Sequence, residues 1–540
     1  MSLKEGLPPS GFLPQSVSRR VLLSIASGIL LGISFPKFSV ALAAFVALVP
    51  LLLALEGSSP RFGFFLGLVT GAVQGLLVLS WVADVLTRFG GAAPGLAMLC
   101  TIALALAFGL FLALFGALHA QIRKSVGPRA MLLAPVVYVA CEFLREHLLF
   151  GYPWCLLGYS QVEFPELIQI ASFAAVHGVS FVVATASAGI AYFILAGNRF
   201  EKRVGLTIPA LFISMAMAYG HARLQTSLSE DGGFSVGVIQ ASIPQDQKWE
   251  SDLLQSNLDR HVALSREAIS RGARMVVWPE SAIGYELDLY PEVRKQVTGF
   301  ASREGVFLLT GNDDRERDSS GTVRSYVGAK LVSPTGEIVM RYRKMRLVPF
   351  GEYMPSLPLL SSLVTVQKLV QSVSDFTPGT RAETGQALGI SIGAFICYEA
   401  IFPSLVRRFP VNGAQVLFNV TNDGWYGTSA APYQHYAMAR FRAVENERFL
   451  VRAANTGISA IIDPFGREVA RTELMERRAL VGDVRAISRV TPYARYGDVF
   501  AWSMVVATAL LTLGSATAGL GRSNKLPVPQ PLTESKDPTH

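Results

Sequence analysis

Residues 21–220 form an almost continuous apolar stretch, and that stretch limits what the chain can fold into. A helix needs about 20 apolar residues to cross a bilayer. Seven such segments precede residue 221, at 20–35, 38–55, 62–84, 95–119, 131–149, 168–197 and 204–220, and an eighth lies at 498–519. The first is short and Pro36 separates it from the second. The fifth carries Glu142, Arg145 and Glu146, which belong at an interface or in a protein-lined cavity rather than in lipid. Charged residues make up 16% of the chain, against about 25% in ordinary soluble domains, and these segments account for the deficit. Four parts are expected. They are an N-terminal polytopic α-helical membrane domain (1–220), a soluble-like domain (221–495), a C-terminal transmembrane helix (496–520) and a polar tail (521–540). Arg19 and Arg20 before an apolar run, with Ala41-Leu42-Ala43 later, mimic a cleaved signal peptide, but the apolar sequence continues past that point.

Short-loop lysines and arginines set orientation. One set of loops holds thirteen of them, including Arg19, Arg20, Arg61, Arg123, Lys124, Arg129, Arg199, Lys202 and Arg203; the other holds three, Lys37, Arg88 and Arg145. This places both termini in the cytoplasm and 221–495 outside, which means the periplasmic face of the inner membrane in a bacterium with two membranes. The net charge of +8 does not indicate nucleic acid, because no basic cluster is interleaved with aromatics. Cys100, Cys141, Cys155 and Cys397 match neither a zinc pattern nor a disulfide framework, although a Cys100–Cys155 bridge is conceivable. No metal-binding or nucleotide motif is present, so no cofactor is expected. A transporter would explain the membrane segments but not the domain between them.

That domain alternates short apolar strands with helices. Strands are expected at 234–243, 275–278, 306–310, 388–396 and 416–420. Hairpins are expected at 325–333 with 337–343 and at 449–463 with 468–470, and helices after 243 and across 433–448. The pattern implies an α/β domain with covered sheets.

Three residues at strand ends have chemistry to offer. Cys397, in AFICYE, ends an apolar strand where a helix begins, a turn whose N–H groups favour thiolate and oxyanion character. Glu280, in VVWPES, follows a strand that Pro279 terminates, and suits a general base. Lys344, in YRKMRLVPFGEY, is followed eight residues on by Glu352. Singly each has a blander account: an inert buried thiol, a capping carboxylate, a snorkelling lysine.

Taken in order, WPES, YRKMRLVPFGEY and CYE resemble the nitrilase superfamily over about 234–485. That resemblance implies an α-β-β-α sandwich with a Glu base, a Lys and a Cys nucleophile. With eight membrane segments, the chain is similar to the membrane branch of that superfamily, the apolipoprotein N-acyltransferases. Further matching segments are QASIPQ with Trp249, NDGWY (422–426), Gln434-His435, Arg452–Gly457 and the loop GYPW (151–154). The family's activity would be transfer of a fatty acyl chain from a phospholipid, typically phosphatidylethanolamine, through a Cys397 thioester. The acceptor would be the α-amine of a diacylglyceryl-cysteine that begins a lipoprotein.

The resemblance casts Glu352, Tyr398 and Glu399 as supporting residues, and Trp249, Trp425, Tyr426 and Trp154 as candidates to line the substrate pocket. His435 reads as a structural hydrogen-bonding residue, and Arg440, Arg442, Glu445 and Arg448 as a salt-bridged helix face. The apolar stretch 353–373 reads as a lid dipping into lipid. One departure is Val327, where many relatives have Asn. A monomer is expected. The rival enzyme reading is a membrane-tethered amidase acting on a small substrate.

Overall fold

A computed structural model describes residues 16–149, 151–227, 232–317, 321–355 and 375–523. The expected lid therefore lies outside the described residues beyond Pro355, as does the tail beyond Ser523.

The N-terminal half is helical. Long apolar helices span Val17–Ile33, Pro60–Leu79, Pro94–Val126, Ala130–His147, Ala171–Leu195 and Arg199–Leu224, with another at Val499–Ser523. The segment at 38–55 is not one helix. It divides into a 3-10 turn, Ala41–Phe45, and a short helix, Val49–Leu55. Pro50 explains the break, since it supplies no N–H and clashes with the carbonyl four residues back. Two helices pack so closely that a Cβ on Gly71 would meet the Gly109 Cα at 2.5 Å, the small-residue packing that suits lipid. As expected, the charges on the fifth segment are turned into protein. Glu142 accepts the Leu157 N–H (2.5 Å), and Arg145 donates to the Trp154 carbonyl (3.2 Å).

The helix ends sort into two groups. At one end, Arg20 donates to the Ala54 carbonyl and Ser58, Arg123 pairs with Glu56, and Ser515 bonds the Gln121 carbonyl. At the other, Lys37 reaches the Thr428 carbonyl, Gln434 reaches the Pro36 carbonyl, and Phe89 packs on Trp425. The α/β part stands on this second end, away from the loops rich in Arg and Lys.

Two six-stranded sheets form its core. The first has the order β14-β1-β2-β3-β6-β7. Its strands are β1 (Gly233–Gln240), β2 (Met275–Val277), β3 (Phe307–Gly311), β6 (Gly328–Val332), β7 (Ile338–Arg343) and β14 (Arg478–Arg485). The second has the order β13-β12-β11-β10-β9-β8. It consists of β8 (Thr384–Ala387), β9 (Ile390–Ile396), β10 (Val416–Thr421), β11 (Leu450–Ala454), β12 (Ala460–Ile462) and β13 (Glu468–Arg471). A small hairpin joins β4 (Asp314–Arg317) to β5 (Val323–Tyr326).

Val238, Val277 and Leu331 from one sheet share a core with Ile392, Phe418 and Val451 from the other. Helices Leu254–Ser270 and Pro291–Glu304 cover the first sheet's outer face through Leu258, Leu264, Val297 and Phe300. Helix Ala431–Asn446 lies between the second sheet and the membrane helices. The result is the α-β-β-α sandwich. The stretch 449–463 differs from the single strand expected. It turns at Asn455–Ser459 and pairs with itself as antiparallel β11 and β12.

Candidate active site

Each of the three sequence candidates lies just past a strand. Glu280 follows β2, Lys344 directly follows β7 and Cys397 directly follows β9. β2 runs parallel to both its neighbours, β9 runs parallel to β10 and antiparallel to β8, and the apolar residues of both are buried, so their ends are held rigidly. Gly311 must lack a side chain, because a Cβ there would lie 2.5 Å from the Glu280 Cα. Ser281 and Cys397 themselves adopt positive φ, 44° and 48°. Strained non-glycine backbone of this kind is held in place only by surrounding structure.

The carboxylates and the ammonium converge. Lys344 Nζ lies 3.3 Å from Glu280 Oε1 and 2.5 Å from Glu352 Oε1. The second oxygen of Glu280 accepts the backbone N–H of Asn422 (2.8 Å), and that of Glu352 accepts the N–H of Val348 (2.9 Å). Lys344 is fully buried. Burial alone would push its ammonium down, but Glu280, Glu352 and Cys397 outweigh that and hold it well above the usual lysine range. Burial pushes Glu352 up, and Lys344 opposes the shift.

The thiol departs from the expectation. Burial first, and then Glu280, push the Cys397 thiol up, and Lys344 only partly offsets them. These surroundings favour the protonated thiol over the thiolate.

Glu399 locks two strand ends together. Its carboxylate accepts the N–H groups of Ile396 (2.7 Å), Met345 (2.7 Å) and Arg346 (3.1 Å), and the Tyr342 hydroxyl at 2.7 Å. It thereby ties the Lys344 turn to the Cys397 turn. Burial nevertheless raises it to about 7. Tyr398 packs edge-on against Phe402 (5.1 Å).

A second network lies behind Cys397. His435 Nε2 is 3.1 Å from the Cys397 carbonyl, and its Nδ1 is 2.9 Å from Asp423 Oδ1. Arg452 bonds the other Asp423 oxygen at 2.8 Å and also meets Asn419. Burial would raise Asp423, but Arg452 and then His435 hold it at about 2. His435 thus takes the structural role read for it.

The four aromatic candidates separate. Trp249 and Trp425 are exposed, at 49% and 42%, whereas Tyr426 is half-buried against Trp81. Trp154 is buried, stacks near His435 and donates to Gln434 (2.7 Å), so its contacts are those of the interface between the two halves. The arginines of helix Ala431–Asn446 are not a solvated face. Arg442 and Glu445 pair at 2.7 Å with both side chains fully buried, while Arg440 reaches across to Glu163.

Sequence reasoning passed over Lys248, which is buried and donates to the Glu280 carbonyl at 2.9 Å. Burial brings it down to about 8 despite Glu280 and Asp313. Its only sequence signal was its place beside Trp249. All four cysteines are free. Among the described residues no cluster of His, Cys, Asp and Glu is placed to hold a metal ion.

Residues 235–493 match the carbon-nitrogen hydrolase family, and residues 27–189 match the apolipoprotein N-acyltransferase N-terminal domain. An apolipoprotein N-acyltransferase from Geobacter metallireducens is 36% identical over 507 residues, covering 91% of this chain and 94% of that protein. The chain belongs to the apolipoprotein N-acyltransferase family. Another member, from Methylococcus capsulatus, is 33% identical over 491 residues, covering 89% of this chain and 93% of its own length. Among solved structures, a nitrilase-superfamily amidase from Nesterenkonia AN1 aligns with 50% of this chain and 96% of its own, at 18% identity and a TM-score of 0.37. Membership of the family and the long apolar helices make the chain a membrane protein with a nitrilase-like domain.

Proposed function

We propose that this chain transfers a fatty acyl group from a phospholipid to the N-terminal amine of a diacylated apolipoprotein, through a thioester on Cys397. The observation that carries the reading is the buried contact of Lys344 with both Glu280 and Glu352 beside a thiol that burial keeps protonated.

The steps follow from that arrangement. Glu280 takes the thiol proton, and the sulfur attacks the ester carbonyl. The oxyanion forms against the Lys344 ammonium and the first N–H groups of the 3-10 turn Cys397–Ile401, which have no partner within that turn. The lysophospholipid alkoxide leaves with the proton from Glu280, and the acyl group stays on sulfur. The acceptor amine then attacks the thioester, Glu280 takes its proton, and the thiol is restored. The thioester retains the reactivity of the ester, so no ATP is consumed. Glu352 holds Lys344 in its charged state. Trp249, Trp425 and Tyr426 flank the approach, and Tyr398 closes one side.

The same reading assigns the α/β part to the periplasmic side and both termini to the cytoplasm, on the count of thirteen basic loop residues against three. Phosphatidylethanolamine is the donor, and the working form is a monomer. Incubation with labelled phospholipid and a diacylated lipopeptide should move the label to the peptide amine. Release of ammonia from small amides, with no label transferred, would establish the amidase alternative instead.

A further inference from the structure

Glu280 has a second ammonium at its back that the acyl chemistry above does not use. Lys248 lies in a turn at residues 245–249, beyond β1, and is only 2% exposed. Its Nζ donates to the Glu280 carbonyl at 2.9 Å. The segment that carries it is tied to the second sheet. The Ile243 N–H donates to Asn455 Oδ1 (3.0 Å), Asn455 Nδ2 donates to the Ile243 carbonyl (2.8 Å), and Asn422 Nδ2 donates to Gln245 (2.8 Å). Asn422 also donates its backbone N–H to the Glu280 carboxylate. A braced loop therefore delivers the Lys248 ammonium to the turn that holds Glu280.

Glu280 has use for that charge. Its carboxylate shares Lys344 with Glu352, and Glu352 holds the closer contact, 2.5 Å against 3.3 Å. Lys344 must also turn its charge to the oxyanion as that forms. One cation spread over two carboxylates and an oxyanion leaves Glu280 under-neutralised, and like charges oppose one another's ionisation. Asp313, just past β3, adds a third carboxylate. Burial, then Glu280, Glu286 and Glu352, push it up to about 7, and Lys248 opposes them.

Burial lowers Lys248 itself to about 8, against Glu280, Asp313 and Cys397. It is still a cation throughout the range in which an ordinary carboxylate titrates. A buried ammonium is an unfavourable way to fill space, and the charged groups that offset it here belong to the reacting site.

We propose that Lys248 is a positioning residue for the reaction: held on the Glu280 carbonyl, its positive charge keeps the Glu280 carboxylate free of a proton and ready to receive the one on the Cys397 thiol. This rests on the reading that Glu280 is the base. The other groups facing the pair are Lys344 and Glu352 beyond β7, Asp313 beyond β3, Cys397 beyond β9, Tyr426 in the 3-10 turn Asp423–Tyr426, and His261 of helix Leu254–Ser270. Burial holds His261 down at about 4, so above that pH the positive charge around the base is that of Lys344 and Lys248.

The test follows single-turnover acylation of Cys397 in the full-length enzyme by a nitrophenyl fatty ester, from about pH 4 to about pH 9. Removing a neighbouring cation disfavours a charged carboxylate, so in Lys248→Met the acid limb of the rate should move up by about one pH unit or more. Below the limb the variant should be about tenfold slower, and above it the two rates should converge. KM for the ester should not change, because Lys248 touches no substrate. Lys248→Gln can still donate to the carbonyl but carries no charge. It should show the same shift, and it decides the matter should the methionine variant not fold. Lys248→Arg restores the charge and should return the limb to its native position. A rate lowered equally at every pH, or an arginine variant shifted like the other two, would reduce Lys248 to structural support for the turn. A limb unmoved in all three would remove it from the reaction. Glu280→Gln is the control. Native-rate acylation in that variant would defeat the base reading itself, a result that no Lys248 variant can produce.

Discussion

Two buried ionic clusters flank Cys397, and they differ in what they leave open. On one side, Lys344 lies between Glu280 and Glu352, so a single cation serves two carboxylates. On the other, Asp423 is saturated by Arg452, His435 and Thr421, and its cluster meets Cys397 both at the backbone carbonyl, through His435, and at the thiol, through Thr421. The first holds charge where a proton can move. The second neutralises charge and fixes the backbone that carries the sulfur. Lys344 and the second cluster are fully buried, whereas Glu280 and Glu352 keep some exposure; the distinction lies in whether saturating partners hold the carboxylate charged.

The largest effect should come from the atom both clusters serve. Cys397→Ala should abolish covalent acylation while leaving thermal unfolding close to that of the native enzyme. Next comes Glu280→Gln, which removes the base but keeps the shape, and acylation should slow by about 10²–10⁴-fold. Lys344→Met should cost about 10²–10³-fold, the scale of a lost oxyanion donor. Its stability loss should be the smaller of the two clusters' because the carboxylates it strands can take up a proton. Asp423→Asn sharpens the contrast from the other side. It strands Arg452, which cannot deprotonate, and should cost about 3–5 kcal/mol of stability by denaturant unfolding. Acylation per folded molecule should fall far less than in Glu280→Gln. A reversal of that order would collapse the distinction between the clusters.

The smallest effect is a pH dependence. Asp423 is held at about 2, below the unfolded value of about 3.9. Its contribution to stability is therefore complete above the unfolded value and is lost as pH falls through 2. Unfolding followed from pH 5 downward should show an acid loss that is absent in Asp423→Asn. The raised Cys397 thiol gives a companion result on the catalytic side. Iodoacetamide alkylation should be slow at pH 7 and keep rising through pH 9, because only the thiolate reacts.

Much of this was legible in the sequence, for different reasons in the two halves. Apolar stretches near the length of a bilayer crossing mark helices directly, and the exception at 38–55 arises where Pro50 forbids continuation. In the α/β part, buried strands such as β9 and β10 are solid apolar runs and read cleanly. β14 and the β4–β5 hairpin mix exposed charges with apolar residues, so no period marks them. Glu280, Lys344 and Cys397 could be found because each ends a strand within a recognisable motif. Their partners could not. The Asn422 N–H reaches Glu280 across 142 positions, a contact that the packing of one sheet on the other creates, and Trp154 reaches Gln434 across 280, a contact that the packing of one half on the other creates. The state of the thiol was also hidden, because local turn geometry favours thiolate whereas burial beside Glu280 opposes it.

The most direct measurement is intact and peptide mass spectrometry of the purified enzyme after exposure to phospholipid with no lipopeptide present. A fatty acyl mass should appear on the peptide containing Cys397, be released by hydroxylamine, and vanish when lipopeptide is added. An acyl group on any other residue, or transfer to lipopeptide at native rate by Cys397→Ala, would contradict the account.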